Sequence, residues 1–304
     1  MKVVALAGGT GSAKLLRGLK SLPVDLTVVA NVGDNVWMYG AYVCPDVDIA
    51  CYTLSGAVDR ARGWGVEGDT FEAMETFERS GLETWFRLGD RDLAVCMART
   101  EMLRRGSTLT EATDMVRRGL GVPCPVLPAT DRHVETRVAT PAGDLHLQEF
   151  WVRDRGRPRV TAVHYRGASS ARPTRGVADA ILRADRVVLC PANPVTSIGP
   201  MLAVPGFARL LARTHARAVA LSPMSGSGPI SGPAGKFMKA AGRRADSLGV
   251  AEMYSKFLDA IIISAEDSAM GRGIADLGVE CRTSDTMFRG PGDEARLAKE
   301  LLEL

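Results

Sequence analysis

The first twenty residues constrain the fold most strongly, because they combine a buried strand, a glycine-rich turn and an amphipathic helix. Residues 3–6 form an apolar run, glycines at 8, 9 and 11 follow it, and leucines at 15, 16 and 19 repeat at helical spacing. Glycines let backbone N–H groups approach an anion, and a helix N-terminus adds partial positive charge. The pattern predicts a strand–turn–helix unit that binds a phosphate or a nucleotide.

Two common phosphate-binding motifs do not fit this turn. A P-loop requires Gly-x-x-x-x-Gly-Lys-Ser/Thr, but Lys14 is preceded by Ala13 and followed by Leu15. A dinucleotide fingerprint requires Gly-x-Gly-x-x-Gly, and Lys14 stands where the third glycine would be. The turn therefore indicates an anion site of another kind, or a purely structural turn.

The composition is ordinary for a soluble globular enzyme, with 46% hydrophobic and 24% charged residues among 304. A net charge of +3 is too small for a surface that coats nucleic acid. We find no apolar stretch of about 20 residues, no signal-peptide pattern and no Cys-x-x-Cys pair among the six cysteines. We expect a cytoplasmic protein that binds neither membrane nor nucleic acid.

Apolar runs typical of strands alternate with amphipathic segments along the chain. They lie at residues 3–6, 26–30, 186–190, 216–221 and 260–264. The alternation predicts an α/β fold, with a Rossmann-like, mostly parallel sheet and helices on both faces. We assign this core to residues 1–59 and 166–304, and we expect binding residues at the carboxyl ends of its strands.

The middle of the chain, residues 60–165, is predicted to be an inserted α+β region that caps the core within a single domain. Residues 91–120 predict two helices, with Asp92 and Thr110 as their N-terminal caps. Residues 135–140 and 144–152 alternate in hydrophobicity around Pro-Ala-Gly, which is a hairpin signal.

Polar residues follow several of these runs. Asn31 and Asp34 end the second strand, where such residues bind ribose or phosphate, or form a turn. Asp46 and Asp48 suit a Mg²⁺ site, a general base or the capped start of a helix. Arg87 beside a glycine turn suits a phosphate, a stacked ring or a solvated surface.

Two later loops are dense in proline and glycine. Residues 191–200 contain Asn193, Thr196 and Ser197, and residues 222–229 lead into a further such segment at 231–236. Proline and glycine at this density fix the backbone and allow it to approach a ligand closely. We favour a role in binding phosphate or base over a purely structural one.

In order along the chain, these segments resemble one known family. The matching motifs are Gly8-Gly9-Thr10-Gly11 with Lys14, residues 31–40, Pro45-Asp46-Val47-Asp48, Leu88-Gly89-Asp90-Arg91-Asp92, Asn193-Pro194 with residues 196–200, and Ser-Gly-Pro-Ala-Gly-Lys at 231–236. Together they are similar to the 2-phospho-L-lactate transferases, the CofD-type enzymes of coenzyme F-420 biosynthesis. The resemblance covers nearly the whole chain and implies a Rossmann-like homodimer.

The resemblance implies a transferase with two substrates. One is the deazaflavin Fo, and the other is a GDP-linked three-carbon acid that a guanylyltransferase would hand over. The ribityl hydroxyl of Fo would attack the phosphorus that bears the acid, releasing GMP and giving F-420-0 or its dehydro form. The sequence does not distinguish lactate, enolpyruvate and glycerate donors.

The resemblance also implies roles for single residues. Asp48 would contact Fo and orient or deprotonate its hydroxyl, and Arg87 occupies a second Fo position where relatives carry lysine. Mg²⁺ would bridge the diphosphate, held by Asp46 or Asp48. The nucleotide and its phosphates are expected on Gly9, Thr10, Gly11, Lys14, Asn31, Asn193, Thr196, Ser197, Gly226 and Gly235.

Two other functions share parts of this pattern. Non-catalytic YvcK-type regulators, which bind nucleotide sugars, also begin with Gly-Gly-Thr-Gly but carry Asp-Asp-Gly-Gly-Ser-Ser where this chain has Gly-Asp-Asn-Val-Trp at 33–37. A nicotinamide oxidoreductase would need the missing third glycine. The transferase is favoured over both. Trp37, Tyr42 and Trp64 stay open as core residues or as platforms for the deazaflavin ring.

Overall fold

Strands and helices alternate along the chain in a computed structural model, which describes residues 1–226, 228–229 and 232–304. The strands are β1 (Lys2–Ala7), β2 (Asp25–Ala30), β3 (Val36–Met38), β4 (Ala41–Val43), β5 (Val126–Pro128), β6 (Glu135–Thr140), β7 (Gly143–His146), β8 (Ala162–Arg166), β9 (Arg186–Leu189), β10 (Arg217–Leu221), β11 (Met224–Ser225), β12 (Gly228–Pro229), β13 (Ala260–Ser264) and β14 (Glu280–Ser284). The α-helices are α1 (Gly9–Lys20), α2 (Pro45–Ser55), α3 (Glu72–Arg79), α4 (Asp90–Arg104), α5 (Leu109–Gly119), α6 (Arg175–Leu182), α7 (Gly199–Ala203), α8 (Phe207–Arg213), α9 (Ala234–Ala240), α10 (Ser247–Tyr254), α11 (Gly271–Ala275) and α12 (Pro291–Leu302).

A seven-stranded parallel sheet forms the core, in the order β14-β13-β10-β9-β1-β2-β5. Its central strands are apolar and buried on both faces, which is typical of parallel sheets covered by helices. After β1, the chain places β2 on one side of β1 in the sheet and later places β9 on the other side. The direction in which strands are added therefore reverses between β1 and β9. Such a reversal opens a crevice at the carboxyl ends of the two strands.

The helices lie on opposite faces of the sheet because the connections between strands run in opposite directions from the central strand β1. Helix α1 joins β1 to β2, whereas α8 joins β9 to β10 on the other side of the sheet. Since parallel crossovers are right-handed, these two helices pack on different faces. Helix α1 also packs against α2 and α12. The predicted α/β class is confirmed.

Two strands of the main sheet were not predicted from the sequence. Strand β14 forms one edge beside β13, and β5 forms the other edge beside β2. Strand β5 lies inside the predicted insertion of residues 60–165, which therefore supplies part of the main sheet as well as the small antiparallel sheet β7-β6-β8. The hairpin between β6 and β7 is confirmed, although its second arm already ends at His146.

The two predicted helix caps in the middle of the chain were wrong. Helix α4 follows Gly89, and its first amides donate to the Asp69 carboxylate, which accepts N–H of Arg91 at 2.9 Å. Helix α5 follows Thr108, whose side chain and that of Glu111 bond reciprocally in a capping box. The side chain that caps α4 thus comes from Asp69, which is distant in sequence, and not from the start of the helix itself.

Among the described residues, no single helix is long and apolar enough to cross a membrane. The consecutive segments Pro194–Ala203 and Phe207–Arg213 reach such a length and composition only together, and they are bent by 87°.

Candidate active site

A cavity of about 600 Å³ opens at the carboxyl ends of the central strands, where the strand order reverses. The loops after β1 and β9, the first turn of α2 and residues 85–88 contribute to its wall. The predicted site residues that line it are Gly9, Thr10, Gly11, Asp46, Asp48, Arg87, Asn193, Thr196 and Ser197. One cavity therefore collects residues from four separate parts of the sequence.

The turn after β1 is packed too closely to accept a side chain at Gly8. A Cβ there would lie 2.7 Å from Ser197 Cβ and 3.0 Å from Asp46 Oδ2, so the glycine lets α2 and the loop after β9 approach the turn. The Gly9 N–H donates to Asp46 Oδ1 at 2.7 Å and is already used within the protein. Thr10 and Gly11 lie in the first turn of α1. The N–H groups there lack intrahelical partners and lie at the positive end of the helix dipole.

Asn31 joins two carboxylates behind this turn. Its side-chain Nδ2 donates to Asp34 Oδ1 at 3.0 Å and to Asp46 Oδ2 at 2.8 Å, and its Oδ1 accepts the Gly33 N–H at 2.9 Å. Gln148 Nε2 reaches the second oxygen of Asp34 at 3.4 Å. The buried amide of Asn31 thus holds the two carboxylates side by side.

The carboxylates of Asp34 and Asp46 are not neutralised by a nearby basic side chain among the described residues. Among the described residues, no lysine, arginine or histidine nitrogen lies within 4.0 Å of Asp34 or Asp46. Burial raises the pKa of Asp46 to about 6, opposed by the hydrogen bonds from Asn31 and Gly9. Burial and the neighbouring Asp46 charge raise the pKa of Asp34 well above its usual range. Both carboxylates line the cavity, so a hard cation there would find oxygen ligands and relieve their repulsion.

Asp48 has its own positive partner. It lies two residues after Asp46 in the first turn of α2, and the guanidinium of the fully buried Arg99 pairs with its Oδ1. The Arg99 Nη1 also donates to the Tyr42 carbonyl at 3.1 Å. Burial raises the pKa of Asp48, and the Arg99 charge opposes that rise. The ion pair fixes Asp48 at the cavity wall, and the Cys96 thiol lies 3.9 Å from its second oxygen.

A fourth buried carboxylate, Asp92, lies beside the Asp48–Arg99 pair. Ligand atoms of Asp48, Asp92 and Cys96 lie within 4.8 Å of one another. Asp92 Oδ1 accepts the Tyr52 hydroxyl at 2.8 Å, and burial followed by the Asp48 charge raises the pKa of Asp92 to about 7. Because Arg99 already neutralises Asp48, a cation suits the Asp34–Asp46 pair better.

The outer part of the cavity is aromatic. Trp64, Trp85, Phe86 and Trp151 line it, and the Trp64 and Trp151 side chains stay 40% and 44% exposed. The Arg87 guanidinium lies 5.0 Å from the Phe71 ring centroid, in a cation–π contact that orients it along this wall. The cavity thus has a polar inner end and an aromatic outer end.

The loop after β9 completes the inner end. Asn193 Oδ1 accepts the N–H groups of Val195 at 3.0 Å and Thr196 at 3.2 Å, which starts the π-helical turn Pro194–Ile198. Tyr165 holds the same turn by donating to the Val195 carbonyl at 2.6 Å. These bonds set Thr196 and Ser197 beside the glycine turn.

Comparison with known proteins identifies the family. The model of the family described as 2-phospho-L-lactate transferase CofD matches residues 3–278. The chain is 40% identical to the 2-phospho-L-lactate transferase of Methanosarcina acetivorans over 304 residues, covering 99% of this chain and 98% of that one. It is 38% identical to the phosphoenolpyruvate transferase of Streptomyces griseus over 312 residues, covering 100% and 98%. This chain belongs to the CofD family.

A solved structure shares the fold. The crystal structure of a UPF0052-family protein from Bacillus halodurans aligns with a TM-score of 0.68 over 99% of this chain and 98% of that one, at 20% identity. The full-length match to the CofD family favours the transferase interpretation over the YvcK-type regulator considered above.

Four of the predicted site residues do not line the cavity of this CofD-family chain. Asn31 lies behind it, with its amide used by Asp34 and Asp46. Lys14 is exposed, and its ammonium lies 3.5 Å from the Phe288 carbonyl. Gly226 lies near Glu266, and Gly235 lies near Ala245. Gly232 lines the cavity, whereas Ser231 of the same motif lies outside the described residues.

The sequence reasoning missed residues that line the cavity and one, Arg99, that lies behind its wall and pairs with Asp48. Asp34 was considered, with Asn31, as a ribose or phosphate ligand or a turn residue but was left out of the expected site residues, and it lines the cavity. Arg99 had a signal: it lies at helical spacing from Asp92 and Cys96, on the buried face of α4. Trp85 and Trp151 had none, since an isolated aromatic residue is more often part of a core.

Proposed function

We propose that this chain transfers a phospho-three-carbon-acid group, 2-phospho-L-lactate or phosphoenolpyruvate, from its GDP-linked diester to the ribityl hydroxyl of the deazaflavin Fo. The products are GMP and F-420-0 or dehydro-F-420-0. The observation that carries the proposal is that Gly9, Asp48 and Asn193, from three distant segments, line one cavity. Its inner end suits a nucleotide diphosphate and its outer end suits a planar ring.

The donor would lie at the inner end. The first turn of α1 and the polar side chains of Thr196 and Ser197 offer donors to phosphate oxygens. Phosphoryl transfer depends mainly on positioning and on neutralising charge, so a rigid cradle is the main contribution expected of the protein. The contacts of Gly8 with its surroundings support such rigidity.

The acceptor would lie at the outer end, with its ring on the aromatic wall. Asp48 would accept a hydrogen bond from the ribityl hydroxyl and take its proton as the new O–P bond forms. The P–O bond to GMP breaks in the same step, and the phosphate of GMP carries away the electron pair. A base of this kind contributes about 10²–10⁴-fold. Arg87 would hold the ring or its substituents, as expected from its place on the wall.

Mg²⁺ is the cofactor we propose, held by Asp34 and Asp46. Among the described residues neither carboxylate has a basic partner within 4.0 Å, whereas Asp48 is paired with Arg99, which supports this choice over Asp48. When bound, Mg²⁺ would neutralise charge on the diphosphate and so favour the departure of GMP. Asn31 and the Gly9 amide would orient the two carboxylates.

The test is a reconstitution. The protein is incubated with Fo, Mg²⁺, GTP, a guanylyltransferase and either 2-phospho-L-lactate, phosphoenolpyruvate or phosphoglycerate, and the deazaflavin product is weighed by mass spectrometry. We expect one acid to give the diester product. Asp48→Asn should abolish transfer, because the amide cannot take the proton, and should keep the fold, because its oxygen still accepts from Arg99; Asp276→Asn, a control at an exposed aspartate, should behave as wild type. Absence of product with all three acids would contradict the proposal.

The family resemblance supports three further parts of this proposal. We infer a cytoplasmic homodimer that receives its donor directly from the guanylyltransferase. Light scattering of the purified chain tests the dimer. An added hydrolase that cleaves the nucleotide diester tests the hand-off. If the guanylyltransferase passes the donor directly to this chain, the product yield should fall little; if the donor diffuses freely between the two enzymes, the yield should fall strongly.

A further inference from the structure

A loop at the mouth of the cavity carries four arginines in seven residues, at 153, 155, 157 and 159. It directly follows Trp151 and Val152, which line the cavity. The guanidinium of Arg153 lies 5.8 Å from the Trp85 ring centroid, so the loop reaches the aromatic wall on the other side. These contacts place the loop at the entrance rather than on a remote surface.

The loop is fixed in this position. Gly156, with a φ of 61°, packs so closely on Trp151 that a Cβ would lie 2.8 Å from the ring. Lys236 of α9 donates to the Gly156 carbonyl at 2.6 Å and to the Arg157 carbonyl at 3.3 Å. Since the N-terminal end of α9 also lines the cavity, the loop and the cavity wall form one unit.

Within the part of the chain that the structure describes, three of the four charges have no carboxylate partner. Arg153 pairs with Glu149 at 3.1 Å and Asp154 at 3.0 Å. Arg155, Arg157 and Arg159 are all exposed, and among the described residues no carboxylate lies within 4.0 Å of them. We call these three residues the basic rim. The whole chain carries only +3, so this is a local concentration of charge.

We propose that the basic rim attracts the polyanionic nucleotide donor into the cavity. The inference rests on the proposed function, which supplies a donor with two phosphates and a carboxylate. Charge of one sign at the mouth of a cleft raises the local concentration of an oppositely charged ligand, and it raises association rates by about 10–10³-fold. Salt weakens such attraction because the screening length falls from about 10 Å at 0.1 M to about 3 Å at 1 M.

The test measures GDP association by stopped-flow fluorescence with a mant-labelled GDP, at about 0.05 M and about 0.5 M salt. The rim variant is Arg155→Gln/Arg157→Gln/Arg159→Gln. The matched control is Arg183→Gln/Arg209→Gln/Arg213→Gln, which removes the same charge from exposed arginines of the α6–α8 region. Arg183 borders a small second cavity at the opposite, N-terminal ends of β1 and β2.

We expect the rim variant to associate about tenfold more slowly at low salt and to lose most of the salt dependence, with dissociation little changed. The control should keep the wild-type rate and salt dependence. A lysine triple at the rim positions should also keep them, because attraction at a distance needs the charge and not the guanidinium fork.

The outcomes separate this inference from the proposed function. If GDP fails to bind the wild-type chain, the proposed donor site is wrong. If GDP binds and the rim variant matches the control in rate and salt dependence, only the steering inference is wrong. A loss confined to the dissociation rate would also overturn it, because the arginines would then act as direct contacts.

Discussion

Arg99 and Asp48 form an ion pair that the protein encloses almost completely, with side-chain exposures of 0% and 5%. Arg99→Met removes the partner and leaves the carboxylate buried alone. We expect the free energy of unfolding to fall by about 3–5 kcal/mol, as for other broken buried pairs. Urea unfolding measures this change. Asp48→Asn added to Arg99→Met should restore part of the stability, and a single variant as stable as wild type would contradict the prediction.

Asp92 should give the protein a distinctive dependence on pH. Its pKa is raised from 3.8 to about 7 in the folded chain, chiefly by burial. As the pH rises from about 4 to about 7, the unfolded chain gives up this proton first, so the folded state is progressively disfavoured. Asp92→Asn removes the effect and can still accept the bond from Tyr52.

We therefore expect Asp92→Asn to gain stability over wild type as the pH rises through this window. Since one pKa unit corresponds to about 1.4 kcal/mol, the gain is at most about 4 kcal/mol. Urea unfolding of both proteins between about pH 5 and about pH 8 measures the difference. A difference that stays constant with pH would show that Asp92 titrates normally.

The acidic residues illustrate what the sequence can and cannot reveal about single positions. The spacing of Asp46 and Asp48 left a metal site, a general base and a helix start open, and the structure places both residues on the first turn of α2 at the cavity. Their different roles depend on partners far away in sequence: Asn31 and Gly9 hold Asp46, whereas Arg99 neutralises Asp48. A local sequence pattern does not indicate which distant residues a side chain will contact.

The strand–turn–helix unit at the N-terminus depends on the close approach of three segments at Gly8. In Gly8→Ala, the new methyl group would lie 2.7 Å from Ser197 Cβ, so the loop after β9 must move away. We expect a loss of about 1–3 kcal/mol in stability from overpacking. GDP affinity, measured by calorimetry, should fall by more than about tenfold, since 1.4 kcal/mol of lost phosphate contact corresponds to that factor.

Gly119→Ala is the control for this substitution. Gly119 ends α5 without a positive φ, and a Cβ there would have no neighbour within 4 Å. Its replacement should leave GDP binding unchanged and stability equal or slightly higher, because alanine favours the helix. Equal effects of the two substitutions would contradict a special role for Gly8.

The elements that the sequence predicted are those with strong local patterns. The central strands are continuous apolar runs, and the β6–β7 hairpin has alternation around a turn. Strand β5 was missed because it has only three residues and ends in Pro128, and β14 because it is polar and only partly buried. The start of α4 was missed because its capping carboxylate, Asp69, lies about twenty residues upstream.

The order of the strands connects these elements to function. Placing β9 beside β1 brings the loops after both strands together, although about 180 residues separate them. The alternation of strands and helices predicted a parallel sheet, and therefore a site at its carboxyl edge. It left Trp64 open as a core residue or a ring platform and gave no signal for Trp85 and Trp151, because all three come from segments without regular strand or α-helix structure.

The two-ended cavity makes a prediction for the complete molecule. If the donor lies at the inner end and Fo at the outer end, GDP and Fo bind together. We measure the Kd for Fo by the fluorescence polarisation of Fo, with and without saturating GDP. We expect the two values to differ by less than about threefold, since separate subsites do not exclude each other.

Trp64→Ala tests the outer subsite. It should weaken Fo binding by up to about tenfold, through lost stacking of about 0.5–1.5 kcal/mol, and it should leave GDP binding unchanged. Trp37→Ala, at a tryptophan that is 54% exposed and does not line the cavity, should change neither. Competition between GDP and Fo would mean that the two ligands share one subsite, and in-line attack from opposite ends would then be impossible.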